Sequence, residues 1–252
     1  MPGIAVDGLQ YHIRCKSGDV GRYVLLPGDP GRVPQIASYL DNARPVARNR
    51  EYVVYTGTLD GVPVSVCSTG IGCPSTAIAI EELVRCDADT FIRVGTSGRM
   101  QPYMSVGDLI VATAAIRDEG TSRQYLPLAF PAVADPTVVH ALVTACRQGA
   151  VPFHTGVVHS KDSFYGELES ERMPMADQLQ ARWRAWVAGG ALCSEMEAAT
   201  LFVIAAVLRR RAGALMLAEA HDGLECLCRT AVAGVRELIR LDRDRGDHAD
   251  VG

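Results

Sequence analysis

The sequence predicts one α/β domain of three layers, in which helices flank a central mixed, largely parallel sheet. Short β-rich runs alternate with helical runs along the chain, which is typical of βαβ units. No linker-like segment divides the 252 residues. With 48% hydrophobic residues, the chain can bury a large core without disulfides or metal. We therefore expect a single domain over 1–252, with an ordered core at about 8–240 and a polar, frayed tail at 242–252.

Local turn and cap signals define the elements of the N-terminal half. Asp60-Gly61 lies between two β-rich runs and is a strong signal for a tight hairpin turn. Pro74 suits the first turn of a helix, where its missing N–H costs nothing. The predicted elements are strands at 22–26, 52–58, 62–68 and 90–94, and helices at 31–40 and 74–86.

The C-terminal half continues the alternation. Ser194 is a good helix N-cap, and Gly149 marks the end of a helix. The predicted elements are strands at 108–116, 157–160 and 212–217, and helices at 135–148, 195–211 and 224–241.

Composition argues against several classes of partner. A formal net charge of −4 gives no overall field that attracts nucleic acid. The longest apolar run, 198–208, is shorter than the roughly 20 residues of a membrane span, and the N-terminus does not read as a signal peptide. Eight cysteines without a C-x-x-C pair indicate buried, reduced thiols. We expect a cytoplasmic protein with no nucleic-acid or membrane partner.

Three glycine-bearing loops follow predicted strands, at 27–30, 69–72 and 95–98. Ligands of α/β proteins bind at the carboxyl ends of sheet strands, and glycine lets backbone N–H groups approach an anion closely. Each loop taken singly is more typical of an ordinary turn. Three such loops in one chain favour an anion site.

Arginines strengthen that reading. Arg93 lies in the apolar run 91–94, and a buried guanidinium requires an anionic partner. That partner is either a ligand or a carboxylate such as Glu81 or Glu82. Arg50 stands beside Glu51, where a surface ion pair is the alternative. Together with Arg32 and Thr96, these arginines would suit phosphate or sulfate, because the guanidinium fork matches tetrahedral oxyanions.

A carboxylate pair and an aromatic pair offer a site for a sugar and a base. Glu195 and Glu197 follow Ser194 at a predicted helix start, where the helix dipole alone favours carboxylates. The functional alternative is that one of them binds adjacent hydroxyls of a sugar. Phe164 and Tyr165 form either an aromatic wall or ordinary core.

Taken in order, these motifs resemble the hexameric nucleoside phosphorylases, and most closely their uridine phosphorylase branch. The similarity covers roughly residues 8–240 and implies a phosphorylase/hydrolase-like fold. The motifs that carry it are Gly28-Asp29-Pro30-x-Arg32, Asn49-Arg50-Glu51, Ser68-Thr69-Gly70-Ile71-Gly72-x-Pro74-Ser75, Arg93-Val94-Gly95-Thr96-Ser97-Gly98, Glu119-Gly120-Thr121-Ser122-Arg123-Gln124-Tyr125-Leu126-Pro127, Ser160-Lys161-Asp162-Ser163-Phe164-Tyr165-Gly166 and Glu195-Met196-Glu197.

The resemblance implies a reaction and a set of roles. A pyrimidine nucleoside, uridine or a 5′-modified uridine, would react with inorganic phosphate to give uracil and pentose 1-phosphate, without an organic cofactor. Subunits would form a homodimer or a hexamer that is a trimer of dimers. The implied phosphate ligands are Gly28, Arg32, Arg93 and Thr96, with Arg50 from a neighbouring subunit. The implied nucleoside ligands are His12, Thr96, Gly98, Phe164, Glu167, Arg172, Glu195, Met196 and Glu197. The implied catalytic residues are Arg93, Thr96 and Glu197, and a monovalent cation is implied at Glu51, Ile71 and Ser75.

Two departures from the family pattern concern the base. Glu167 stands where the family has a glutamine, and Arg172 is the only nearby arginine that could supply donors. The segment 218–223 is shorter than the family's polar loop. We expect a preference for uracil nucleosides over purine nucleosides, with weakened discrimination. The alternatives are a nucleoside hydrolase of the same fold and a non-catalytic nucleoside-binding homologue.

Overall fold

A ten-stranded mixed sheet organises the computed structural model, which describes residues 5–6, 8–219 and 223–249. Across the sheet the order is β11-β10-β8-β12-β7-β3-β6-β5-β4, and β9 pairs with β8. β1 and β2 form a separate pair. The strands are β1 Ala5–Val6, β2 Leu9–Gln10, β3 Tyr23–Leu26, β4 Asp41–Asn49, β5 Tyr52–Leu59, β6 Val62–Cys67, β7 Thr90–Arg99, β8 Leu109–Asp118, β9 Ala132–Val133, β10 Phe153–Lys161, β11 Cys193–Glu195 and β12 Arg211–Ala218.

Helices cover the sheet on both faces, as the sequence predicts. One apolar cluster packs α2 and α6 against the sheet, and a second packs α1, α3 and α7 against the opposite face. The helices are α1 Arg32–Ala37, α2 Cys73–Val84, α3 Pro136–Gln148, α4 Phe164–Leu168, α5 Ala176–Ala188, α6 Ala198–Val207 and α7 Leu224–Ala249. The predicted α/β class is confirmed.

Part of the sheet closes on itself. β11 pairs parallel with β10 and also antiparallel with β7, where Cys193 lies opposite Arg99 and Ser194 opposite Gly98. The strands β7, β12, β8, β10 and β11 therefore form a closed ring. This closure brings residues 193–195 against the end of β7. It thereby determines which carboxylates lie next to the buried arginine of the site described below.

Local signals placed most elements correctly. The hairpin of β5 and β6 turns at Asp60 and Gly61, whose φ angles of 50° and 79° are those of a type I′ turn. Asp135 caps α3, since its carboxylate accepts the N–H groups of Thr137 and Val138. The helix ends at Gly149, as predicted.

Two predicted elements need correction, because strands from distant parts of the chain define their limits. The loop predicted at 95–98 is the second half of β7, because β12 and β11 both pair with it. The helix predicted at 195–211 begins only at Ala198, since residues 193–195 are a strand, and it ends at Val207. The strand β4 and the helix α5 were not predicted.

Helix α7 continues into the segment that the sequence predicted to be a frayed tail. α7 extends to Ala249, and Asp242 accepts hydrogen bonds from Tyr23 at 2.6 Å and from Arg211 at 2.7 and 2.8 Å. Burial alone would raise the pKa of Asp242, but these donors hold it below its ordinary value. The helix is therefore fixed to β3 and β12 along its polar side.

Candidate active site

The predicted glycine segments lie side by side because their strands are neighbours. β6, β3 and β7 are adjacent and parallel, with Leu26 opposite Arg93. The N–H of Thr69 donates to Pro27 O at 2.9 Å, which joins the first two loops. A Cβ on Gly28 would lie 3.1 Å from Gly70 O, so these loops touch backbone to backbone. One sheet edge therefore carries all three segments.

Arg93 lies at the centre of this edge and is paired with two carboxylates. Its side chain is 7% exposed, with Nε 2.8 Å from Glu195 Oε2 and Nη2 2.6 Å from Glu197 Oε2. The Nε–H is not aligned for a hydrogen bond, so the Glu195 contact is an ion pair. Burial alone would lower the pKa of Arg93, but the charges of Glu197 and Glu195 raise it. The guanidinium is therefore permanently charged.

Neither partner named from the sequence, Glu81 or Glu82, contacts Arg93. Glu81 lies 3.7 Å from Arg85 one helical turn away. Glu82 accepts the backbone N–H groups of His12 and Ile13 and contacts His12 Nδ1 at 2.6 Å. Sequence proximity favoured the wrong carboxylates, because ring closure brings β11 and the start of α6 against Arg93.

Gly95 allows the guanidinium its position. A Cβ at residue 95 would lie 2.8 Å from both Cζ and Nη2 of Arg93. Residues two apart on a strand share a face, so a side chain at 95 would occupy the space of the guanidinium. The Arg-x-Gly spacing is the sequence signal that could have predicted this arrangement.

The two glutamates have different surroundings. Glu195 has a fully buried side chain, and its Oε2 also accepts the N–H groups of Glu197 and Ala198 at 2.8 and 2.9 Å. Glu197 is 6% exposed, and its Oε1 accepts the N–H of Gly72 at 2.5 Å. Burial raises the pKa of Glu197, and Arg93 opposes that rise. Met196 lies between them, half-buried. Glu195 is therefore closed off from solvent, whereas Glu197 keeps a small exposed surface.

The other predicted phosphate residues are more open. Arg32 begins α1 with its side chain 20% exposed, and its Nε is 3.9 Å from Asp29 Oδ2. Thr96 is half-buried on β7. Arg50 is exposed, has a φ of 53°, and forms no ion pair with any residue that the structure describes. The alternative of an Arg50–Glu51 surface ion pair is therefore not observed.

A cavity of about 610 Å³ opens beyond Gly98 at the end of β7. Glu167 reaches it from α4, with Oε2 2.6 Å from Lys161 Nζ and accepting a hydrogen bond from Ser194 Oγ at 2.5 Å. The sequence did not single out Lys161 or Ser194 for this site, although Lys161 lies within the quoted motif 160–166. The residues lining the cavity include Gly98, Lys161, Glu167, Leu179, Trp183 and Trp186.

Arg172, expected to supply donors at the base, is not among the residues that line this cavity. It is exposed, paired with Glu169 three residues earlier, and its Cζ lies 5.7 Å from the ring centre of Tyr165. Phe164 and Tyr165 are 50% and 55% exposed and pack edge to face, so the core alternative for them is wrong. Phe164 keeps an open ring face, and Lys161 Nζ lies 5.8 Å from its centre.

Comparison with known proteins identifies the family of this chain. The family model of the phosphorylase superfamily matches residues 22–231. The chain belongs to this superfamily. It is 48% identical to the uridine phosphorylase of Treponema pallidum over 94% of this chain and 96% of that protein. It is 52% identical to the uridine phosphorylase of Thermococcus kodakarensis over 82% and 76%, and 43% identical to the guanosine phosphorylase of Halorubrum lacusprofundi over 82% and 81%.

Within this phosphorylase-superfamily chain, the described residues show no ion pair or hydrogen bond between Arg93 and either residue predicted to act from a neighbouring subunit, His12 or Arg50. His12 is bound to Glu82, and no hydrogen bond among the described residues joins it to Thr96 or Glu197. The residues expected at a cation do cluster. A Cβ on Gly70 would lie 2.9 Å from Glu51 Cγ and 3.3 Å from Ser75 Oγ, which itself donates to Ile71 O at 3.3 Å.

The end of β12 is joined to β7 by a backbone hydrogen bond. The N–H of Glu219 donates to Ser97 O at 3.0 Å, which ties the end of β12 to β7. Of the segment predicted to be shortened, residues 220–222 lie outside the described residues. In the part of the chain that is described, no helix is long and apolar enough to cross a membrane.

Proposed function

We propose that this protein catalyses reversible phosphorolysis of a nucleoside, and that uridine or a 5′-modified uridine is among its substrates. Two of the relatives above are named uridine phosphorylase and one is named guanosine phosphorylase. The single observation in the structure that supports the chemistry most directly is the pairing of Arg93 with Glu197, because it sets an anion-binding group beside a diol-binding group.

Phosphate would occupy the edge between Gly28, Arg32 and Thr96, with Arg93 below it. The backbone N–H of Gly28 and three or more cationic N–H donors would hold its oxygens. Arg50 of a neighbouring subunit would complete the set. Because this arginine is exposed and unpaired within the described part of its own chain, it is available for that contact.

The nucleoside would lie above phosphate with its ribose on Glu197 and Met196. A carboxylate can accept hydrogen bonds from both the 2′ and 3′ hydroxyls. The C1′–N bond breaks with its electron pair leaving on the base, and the sugar gains oxocarbenium character. A phosphate oxygen then forms the new bond to C1′, and the base takes up a proton. Phosphate held below C1′ stabilises the positive charge before it attacks.

The assay that tests this proposal measures release of uracil from uridine with and without inorganic phosphate. We expect release only with phosphate, together with pentose 1-phosphate in equal amount. Arg32→Ala should raise the KM for phosphate while leaving the fold intact. Release of free ribose at an equal rate without phosphate would instead support a hydrolase, and binding of uridine without turnover would support a non-catalytic homologue.

The proposal includes a homo-oligomer, a dimer or a trimer of dimers. Exposed Arg50, together with the 78% exposed Ile71, lies beside the predicted cation residues Glu51 and Ser75. An interface there would cover Ile71 and bring Arg50 to a second site. A cytoplasmic location is proposed as well, since all eight cysteines are unpaired and seven are buried.

A further inference from the structure

We infer that Lys161 and Glu167 act together as the base-selecting pair, and that they select bases in which a ring N–H adjoins a carbonyl. This class comprises uracil and the 6-oxopurines, and it excludes cytosine and adenine. The inference rests on the proposed function, because it names the substrates of the same site. It assigns to Lys161 the donor role that the sequence offered to Arg172.

Lys161 has a hydrogen-bond donor to spare. It ends β10 with its side chain 9% exposed, and its Nζ donates to Ser194 Oγ at 2.6 Å and contacts Glu167 Oε2 at 2.6 Å. An ammonium group carries three N–H donors, so one remains without a partner among the described residues. Lys161 lines the cavity beside Phe164, which leaves that donor for a ligand.

Glu167 has a hydrogen-bond acceptor to spare. Its Oε2 is occupied by Lys161 and Ser194. Its Oε1 has no hydrogen-bond partner among the described residues and lies 3.5 Å from the place that a Cβ on Gly98 would take. Glycine at 98 therefore leaves this oxygen uncrowded on the side of β7.

A spare acceptor beside a spare donor is complementary to a lactam edge. In uracil, N3–H donates to the carboxylate and the O4 carbonyl accepts from the ammonium. In a 6-oxopurine, N1–H and O6 make the same pattern. In cytosine and adenine the pattern is inverted, so a ring nitrogen lone pair faces the carboxylate and an amino group faces the ammonium. Both contacts are then lost, and we expect kcat/KM at least about 100-fold lower for these nucleosides.

Lys161 would also assist the reaction. The departing base carries negative charge that is spread onto its carbonyl oxygens. The attraction between a fixed ammonium and such an oxygen is stronger in the transition state, as the C1′–N bond breaks, than in the bound nucleoside. The cavity of about 610 Å³ has room for a bicyclic base, so ring size does not exclude purines.

The test compares phosphorolysis of uridine, cytidine, inosine and adenosine by the wild type, Lys161→Met and Glu167→Gln. Lys16→Met is a matched control, since residues 16 and 161 are the only lysines of the chain and Lys16 is exposed. We expect wild type and control to favour uridine and inosine over cytidine and adenosine by at least about 100-fold. Lys161→Met should lower kcat on uridine and reduce the uridine-to-cytidine ratio by at least about tenfold, and Lys161→Arg should restore part of it. A purely supporting role for Lys161 would leave that ratio unchanged and would overturn the inference.

A binding arm separates this inference from the proposed function. Trp183 and Trp186 line the cavity, so their fluorescence reports binding of the free bases uracil, hypoxanthine, cytosine and adenine. Tighter binding of uracil and hypoxanthine by the wild type, lost in Glu167→Gln and Lys161→Met, supports the base-selecting pair. This holds even if no nucleoside is cleaved, because the absence of cleavage would contradict only the proposed phosphorolysis. Equal binding of all four bases by the wild type overturns the inference even if uridine is cleaved.

Discussion

Replacing Arg93 with alanine should destabilise the protein far more than removal of a surface arginine. Arg93 is the cationic partner of Glu195 and Glu197, whose side chains are 0% and 6% exposed. Breaking a buried pair by removing one partner costs about 3–5 kcal/mol, because an uncompensated charge remains inside. Domains of this kind unfold at a cost of about 5–15 kcal/mol, so the loss is a large share of the total. We expect the free energy of unfolding of Arg93→Ala to be about 3–5 kcal/mol lower than that of the wild type at pH 7.

The pH dependence of that decrease tests its origin. Burial already raises the pKa of Glu197, and Arg93 opposes the rise, so removing Arg93 raises this pKa further. A carboxyl group with a raised folded-state pKa loses stability as pH rises through that value and regains it as pH falls. Urea unfolding at equal protein concentration should therefore show a smaller difference between variant and wild type at pH 5 than at pH 7.

Two further variants control the experiment. Arg32→Ala removes an arginine that lies 3.9 Å from a carboxylate which is itself 57% exposed, so it should cost less than about 1 kcal/mol. Arg93→Met combined with Glu195→Gln and Glu197→Gln leaves no buried charge in this cluster and should recover most of the stability. The reasoning is refuted if Arg93→Ala loses no more stability than Arg32→Ala, or if its loss does not change with pH.

Three other predictions concern separate parts of the molecule. Gly95→Ala should raise the KM for phosphate, since its Cβ would lie 2.8 Å from the Arg93 guanidinium; an unchanged KM would show that Arg93 does not bind phosphate from this position. Asp242→Asn should cost about 1 kcal/mol in urea unfolding at pH 7. The pKa of Asp242 is held low in the folded protein, so the stabilisation by its carboxylate is fully present above the unfolded-state pKa. This stabilisation is lost as pH falls through the folded-state pKa, and the free energies of unfolding of variant and wild type should become equal there. If Arg50 acts across a subunit interface, an equimolar mixture of exchanging Arg50→Ala and Arg32→Ala subunits should recover about a quarter of the wild-type activity at low phosphate. Half of its dimers are mixed, and one of the two sites in each mixed dimer holds both arginines; no recovery on mixing would place both arginines in one subunit's site.

Much of the local structure could be predicted because its causes are local. Asp60-Gly61 specifies a type I′ turn through the φ angles those residues tolerate, and Asp135 caps α3 through N–H groups two and three residues away. The three glycine segments were recognised as neighbours in function because parallel strands bring their carboxyl ends to one edge. Arg93 was recognised as needing an anion because a guanidinium cannot be buried alone.

The sequence by itself determined the α/β class, the edge at which an anion would bind, and the residue types found there. Only the tertiary structure decided which side chains meet. The partners of Arg93 are Glu195 and Glu197 rather than Glu81 or Glu82. The cation that lies in the cavity beside Glu167 is Lys161, whereas Arg172 was the residue expected to supply donors there. The partners of Arg93 depend on the closure of β11 against β7, which no local propensity encodes. Burial then fixes the outcome, because within a closed, water-poor ring a charged group is stable only beside the opposite charge that the fold delivers.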